Sequence, residues 1–453
     1  MWGPVWNKGK GAMQLKRELT LSDATLLVVG NVIGAGIFTT SGFLAGELPH
    51  PLFFIGIWIL GGLITFFGAL TYAELAGMFP KAGGDYQFLK AGYGRWAGFL
   101  LGWVNFWIII PGSIAALSLA LVSYWKPFLV LNDPLLGKGL AVGIILFLSW
   151  INYRGIRWGG TTQDFFTLGS LVILVAFIVG GLIWGKGSWD HFTILSSQPV
   201  PFSKIFGSAM IAIIFTYSGW FASAYLGSEI KNPGRNLPLS LLLGTAIVGI
   251  LYTLVNVTYL YALPLTGLAG AVNIGQVTAA ALFNSTISVV ISVAIILAIC
   301  ASINATIMGG SRIFYAMSED KIFWSFLKKL HPRFGTPYLA ILSQAVLSIV
   351  LVCLGTFNQL LSYVVFVMLI VSIATGAAHL ILRWKKPDFL RPYRTWGYPV
   401  VPVLFILVYL WISQQIFMEK PSTSLVGLLL AVSGLPFYFF WIKSNKSIEG
   451  GKT

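Results

Sequence analysis

Runs of about twenty apolar residues recur from one end of this 453-residue chain to the other, and they leave few choices of fold. In hydrocarbon every backbone N–H and C=O must find a partner within the protein, so only helices and closed barrels cross a bilayer. A barrel strand alternates apolar and polar residues, whereas stretches such as GSLVILVAFIVGG are continuously apolar. The chain therefore reads as an all-α polytopic membrane protein, with 57% of its residues apolar and 9% charged. Runs bounded by charge or by Gly/Pro clusters predict twelve helices near 24–46, 52–78, 92–124, 136–152, 162–184, 205–229, 239–263, 285–316, 337–355, 359–382, 400–417 and 423–442. They are called helices 1 to 12 below.

A net charge of +15 invites a nucleic-acid reading, but the distribution of the charge rejects it. With the N-terminus inside, 24 of the 29 Lys and Arg residues fall on the inner side. That is the positive-inside pattern, with contact to anionic membrane lipids, and it places both tails, 1–22 and 443–453, in the cytoplasm. The start of the chain has no apolar core followed by a small-residue cleavage site, so helix 1 serves as the targeting signal. Two cysteines, Cys300 and Cys353, and four histidines show no metal-ligand spacing, and no HExxH, Walker loop or Gly-x-Ser-x-Gly elbow occurs. Neither an enzyme nor a resident cofactor or metal is expected.

Helix 1 carries the stretch GNVIGAGIFTTSG, four glycines where a membrane helix would be continuous. Small residues serve close helix packing, which is the plainer explanation. A second interruption, Ser218-Gly219 among bulky aromatics in helix 6, favours a functional one. Interrupted first and sixth helices are what an inverted five-plus-five repeat predicts, with helices 1–5 over 23–184, helices 6–10 over 205–383 and helices 11–12 over 400–442 as additions. At each break the following half-helix offers free N–H groups to a carboxylate, and the preceding half offers carbonyls to an ammonium group or Na⁺. The pair suits a zwitterion, an α-amino acid held by the main chain, which Gly34 and Gly36 let approach closely.

The stretches VGNVIGAGIF, KAGGDYQFLKAGYG, FTYSGWFASAYLGSEIKNPGRNLP, SINATIMGGSRIFYAMSEDKIF and RPYRTWGYP, in this order, resemble the amino acid-polyamine-organocation superfamily. They are most similar to its L-type amino acid transporters and their bacterial relatives. The resemblance implies the twelve-helix fold with inverted repeats and alternating access. Carried over, the family pattern places a substrate carboxylate on the main chain at Ala35, Gly36 and Ile37, and the amino group against carbonyls of Val32, Phe215 and Ser218. Phe215 falls on the family's aromatic gate, although a core Phe is the ordinary alternative, and TYSGW departs from the usual small-Tyr-Gly-Gly-Trp pattern at Ser218. Many relatives carry a lysine where this chain has Ser170. Carbonyls near Gly30 and Val32 with hydroxyls of Ser302 and Ser170 are then candidates for a Na⁺ site, or for a hydrated pocket without coupling. Animal L-type transporters attach to a heavy chain through a cysteine in the loop after helix 3. The corresponding KPFLVLNDPLLGKG has none, so no covalently linked subunit is expected.

Charge near the midplane is absent, which favours a neutral substrate. Glu74, Glu229 and Arg312, with Lys231 and Arg235, lie toward the cytoplasmic ends, where they form either a gate network or solvated loop charges. Asn31, Asn105, Ser113, Ser302 and Asn304 are polar candidates near the site, each equally able to act as interhelical glue. NPGRNLP reads as a helix stop, turn and restart with Pro238 in the first turn of helix 7. No helix carries the polar stripe of a channel, and the tails leave no room for a sensor's output domain. The expectation is a secondary transporter of small or medium neutral L-amino acids in a bacterial plasma membrane, working as an exchanger or uniporter. Na⁺- or H⁺-coupled symport is the alternative.

Overall fold

The computed structural model describes residues 15–125, 133–194, 202–355 and 357–440. Most of the predicted tails and part of the loop after helix 3 lie outside the described residues. What is described is helical, joined by short links and two isolated backbone bridges, Leu19 with Ile230 and Ala82 with Leu226. Among the described residues eight helices are long and apolar enough to cross a membrane, and a ninth span forms if the bent pair Leu21–Val32 and Gly36–Glu47 is taken together. Shorter apolar helices lie at Phe206–Thr216, Tyr338–Leu354 and Ser424–Phe440.

Local chemistry sets the boundaries. Helix 1 opens with a capping box, in which Thr20 N–H donates to Asp23 Oδ2 at 2.7 Å and Asp23 N–H returns to Thr20 Oγ1 at 3.4 Å. Helix 2, Pro51–Met78, starts on His50, whose ring accepts Leu52 N–H, with proline at N1. Helix 4, Pro134–Tyr153, repeats the device with Asp133. Helix 7 differs from the expected restart: it begins at Pro233, and Pro238 lies inside it. Asn232 in the left-handed region, with φ 46°, stops the preceding segment, and the Pro233 ring presets the first helical turn.

Helix 3 spans Arg95–Tyr124 but is not regular. Asn105–Ile109 forms a π-helical turn in which Ile110 N–H donates to the Asn105 carbonyl, five residues back. Pro111 explains it, because it has no N–H to return to Trp107. Two short helices, Leu265–Leu268 and Ile274–Leu282, fill the link between helix 7 and helix 8, Ser285–Glu319. That link folds against helix 1, where Gly270 N–H donates to the Gly42 carbonyl at 2.9 Å.

Candidate substrate site

The two breaks lie against each other. Helix 1 stops at Val32 and resumes at Gly36 with a 40° bend, and helix 6 stops at Thr216 and resumes at Ala222. Between Thr216 and Ala222, Gly219 adopts φ +94°, a conformation costly for any other residue, and a side chain there would strike Asn31. Asn31 fastens the breaks together, its Nδ2 donating to the Gly219 carbonyl at 2.9 Å. From helix 8, Thr306 Oγ1 donates to Asn31 Oδ1 at 3.3 Å and Ser302 Oγ to the Asn31 carbonyl at 3.0 Å. Tyr252 of helix 7, Pro233–Ala262, clamps from the other side, with its hydroxyl 2.9 Å from the Val32 carbonyl and 3.5 Å from that of Thr216.

The glycines of helix 1 divide by what they face. A Cβ at Gly30 would sit 2.1 Å from Thr167 Oγ1 of helix 5, one at Gly36 2.9 Å from the Thr216 side chain, and one at Gly42 2.0 Å from the Ala271 carbonyl. Those three let neighbours pack against the backbone. Gly34 is the least crowded of the four, with Leu117 and Ser302 the nearest atoms at 3.7 and 3.8 Å, ordinary contact distances.

A cavity of about 80 Å³ lies between helices 1, 3, 6, 8 and 10. Asn31, Ser113, Ser218, Ser302 and Thr306 supply its polar wall, while Leu117, Val364 and Met368 supply an apolar one. No charged side chain lines it. Phe215 borders this cavity and also a wider one of about 290 Å³, lined by Ala35, Gly36, Thr39 and Ser208 and reaching Glu419 and Lys420 between helices 11 and 12. The ring thus stands between a central chamber and a vestibule on the face opposite the N-terminus. Ala35, Gly36 and Ile37 open the second half-helix, whose first N–H groups have no intrahelical acceptor. The Phe215 carbonyl accepts Ser218 N–H at 2.9 Å, and the Val32 carbonyl already accepts Tyr252. Each carbonyl keeps one further lone pair.

The N-terminal face is closed by several independent contacts. Glu229 and Arg312, both buried, form a two-pronged pair at 2.7 and 2.8 Å. Glu18 and Leu19 N–H groups donate to the Glu229 carbonyl. Glu74 belongs to a different cluster, accepting from Arg383 at 2.7 and 2.6 Å, from Arg391 at 3.0 Å and from Thr395 N–H at 2.8 Å, with His379 at 3.2 Å. The side chains of Lys231 and Arg235 are exposed. Asp85, buried in the short helix Asp85–Tyr93, accepts from Tyr225 Oη at 2.8 Å and Thr375 Oγ1 at 2.9 Å. Burial raises its pKa above the ordinary Asp value, against the opposing effect of those hydroxyls.

Each of the four positions considered for sodium has its own neighbour. Ser170 Oγ is buried and donates to the Thr167 carbonyl of its own helix, Thr167 is the helix 5 side chain that faces Gly30, Ser302 donates to Asn31, and Val32 faces Tyr252. Asn304 lies deeper in a buried network, 2.7 Å from Asn152 and 2.9 Å from Gln163, while Asn105 bonds only within helix 3. Among the described residues no group of three His, Cys, Asp or Glu stands ready for a metal ion. Sequence reasoning missed Tyr252, Thr306 and Asp85, because nothing in their spacing sets them apart from other residues of their helices.

Comparison with known proteins places these features in a family context. The sequence model of the amino acid permease family matches residues 19–439. The serine/threonine exchanger SteT of Bacillus subtilis is 34% identical over 443 residues, 96% of this chain and 98% of that protein. The human large neutral amino acids transporter small subunit 2 is 30% identical over 453 residues, 97% of this chain and 83% of its own. The human Asc-type amino acid transporter 1 is 29% identical, over 96% of this chain and 84% of its own.

Proposed function

The chain belongs to the amino acid permease family, within the amino acid-polyamine-organocation superfamily and on its L-type side, and from that premise we propose a carrier of small and medium neutral L-amino acids, working by exchange or uniport. It is an integral multi-pass membrane protein and a transporter, not an enzyme. The observation that carries the proposal is the position of Phe215, between a polar, uncharged chamber at the junction of two helix breaks and a wider vestibule that reaches helices 11 and 12. A chamber reached from one side, with the other side closed by ion pairs, is one half of an alternating-access cycle.

In this reading twelve helices cross the membrane, helices 1–5 and 6–10 are inverted repeats, and both termini are cytoplasmic in the plasma membrane of a bacterium. The described N-terminal face, rich in Arg and Lys, is then the cytoplasmic one, and Phe215 gates the outer entrance. The substrate carboxylate lies on the N–H groups of Ala35, Gly36 and Ile37, and its ammonium group on the remaining lone pairs of Val32, Phe215 and Ser218. The small chamber and its hydroxyls suit a short or polar side chain, in keeping with the serine/threonine exchanger among the relatives. The chain acts without a covalently linked heavy chain and without sodium coupling.

Purified protein in liposomes, screened with labelled amino acids, tests this. Small neutral L-amino acids are expected to enter faster when unlabelled substrate is inside, and replacing external Na⁺ by choline leaves the rate unchanged. Strong competition by arginine or by amines lacking the carboxylate would overturn the main-chain clamp, and uptake driven by a Na⁺ gradient would overturn uncoupled transport.

A further inference from the structure

We propose that an aromatic crevice on the membrane-facing surface, at the N-terminal-face end of helix 3, binds one anionic phospholipid. Two hollows of about 600 and 430 Å³ meet at Trp324, which follows helix 8. The first lies between Phe99 and Trp103 of helix 3 and Phe437 and Phe440 near the described end of the chain. The second lies between Phe106 and Trp107 of helix 3 and Leu342 and Val346 of helix 9, Tyr338–Leu354. Neighbouring rings hold the walls in place, with Trp103 stacked on Phe437 at 4.6 Å and Phe106 tilted against Trp324 at 5.2 Å.

Depth and charge identify the occupant. From Leu339 to Leu347 the crevice follows helix 9 for about 12 Å at 1.5 Å per residue. A single leaflet contributes about 15 Å of hydrocarbon, so the crevice is as deep as an acyl chain is long in its leaflet. Its mouth is basic. Arg95 lies one turn before Phe99 on the same face of helix 3, and Lys328 and Lys329 follow the lining residue Phe326 by two and three positions, all three exposed. Of the acids nearby, Asp320 is engaged by Lys90 and Tyr86, which leaves Glu319 exposed against the three cations. A phosphate with a net negative headgroup fits that rim better than a zwitterionic one.

The crevice also touches the least regular part of helix 3. Phe106 and Trp107 belong to the π-helical turn, a feature frequent at functional sites, while Ser113 and Leu117 of the same helix line the substrate chamber. A lipid chain filling the crevice braces this turn from the membrane side.

The full chain, purified and exposed to equal phosphatidylglycerol and phosphatidylcholine, is to be examined by native mass spectrometry and by photolabelling with phosphatidylglycerol carrying a diazirine on its acyl chain. One phosphatidylglycerol should be retained in preference, with label concentrated on Trp103, Trp324 and Leu342. The double variant Lys328→Gln/Lys329→Gln, at exposed positions that leave folding intact, should weaken retention roughly tenfold. Trp324→Ala should disperse the label. Equal retention of the two lipids would overturn the proposal, as would label spread evenly over the lipid-facing helices. Crosslinking of the crevice to a second copy, or to residues beyond 440, would overturn it in favour of a protein occupant.

Discussion

Asn31→Ala should separate a clamp from ordinary interhelical glue. The substitution removes two side-chain hydrogen bonds, Nδ2 to the Gly219 carbonyl at 2.9 Å and Thr306 to Oδ1 at 3.3 Å, and leaves the bond from Ser302 to the residue 31 carbonyl. Interhelical hydrogen bonds in membranes average about 0.6 kcal/mol, and protein hydrogen bonds in general about 1 kcal/mol. The loss is then about 1–2 kcal/mol, or roughly 5- to 30-fold in an equilibrium constant. Because those bonds hold the two breaks in register, the loss should appear in substrate affinity, read as competition against a labelled amino acid bound by the purified protein. Ser118→Ala is the control, a buried hydroxyl that bonds only to the Ile114 carbonyl of its own helix, and it should leave affinity unchanged. If Asn31→Ala bound substrate within twofold of the parent, the breaks would not be held through this side chain.

The glycines of helix 1 give a second prediction: Gly34→Ala should fold and retain much of its transport, since the added methyl meets nothing closer than 3.7 Å, whereas Gly36→Ala should lose transport because it pushes Thr216 away. Proteoliposome uptake normalised to inserted protein checks this, and equal activities would contradict it. The third concerns pH. Burial holds the Asp85 carboxyl above its ordinary value of 3.8, so the closed N-terminal face binds this proton more tightly than an opened, hydrated one. The closed face therefore has its full stability below the ordinary value and weakens as pH rises above it. Hydrogen exchange of the segment around Asp85, corrected for intrinsic rates, should rise with pH in the parent and stay flat in Asp85→Asn; parallel slopes would refute it.

The helices were legible because a bilayer permits so few alternatives. Continuous apolar runs bounded by charge or by Gly/Pro clusters act locally, so they can be read without knowing what packs against them, whereas the Thr20 and His50 caps and the start of helix 7 at Pro233 came only with the structure. The interruption of helices 1 and 6 was legible for the same reason: glycine in an apolar run is a local signal. What the glycines do was not. Gly30, Gly36 and Gly42 face Thr167, Thr216 and Ala271, partners that lie more than a hundred residues away in the chain, so the small-residue packing that sequence could offer only as the plainer reading accounts for three of the four. Tyr252 acts through a hydroxyl aimed at the Val32 carbonyl and Thr306 through one aimed at the Asn31 side-chain oxygen, and a Tyr or Thr in a membrane helix carries no mark of that aim. The same holds for Asp85, whose buried position depends on helices that meet it from elsewhere.

The charges of the N-terminal face form two clusters of different physical character. Glu74 accepts from Arg383, Arg391 and the Thr395 main chain at once, which ties helix 2 to the end of helix 10 and to the link that follows it through several bonds that would all have to break together. Such a hub suits an anchor. Glu229 and Arg312 join the segment after the helix 6 break to helix 8 by one two-pronged contact. A buried pair has already lost its hydration, so opening it to water returns to both ions what burial took away, and the separated state costs little more than the closed one. Removing only one partner is far more costly, about 3–5 kcal/mol, because the other remains charged and dry. A contact that is cheap to open as a pair and costly to mutate singly is suited to a gate that must close firmly and part in every cycle. Its location supports this, since Glu229 also receives the N–H groups of Glu18 and Leu19, and the movement that parts it from Arg312 would draw the start of helix 1 away from helix 8 as well.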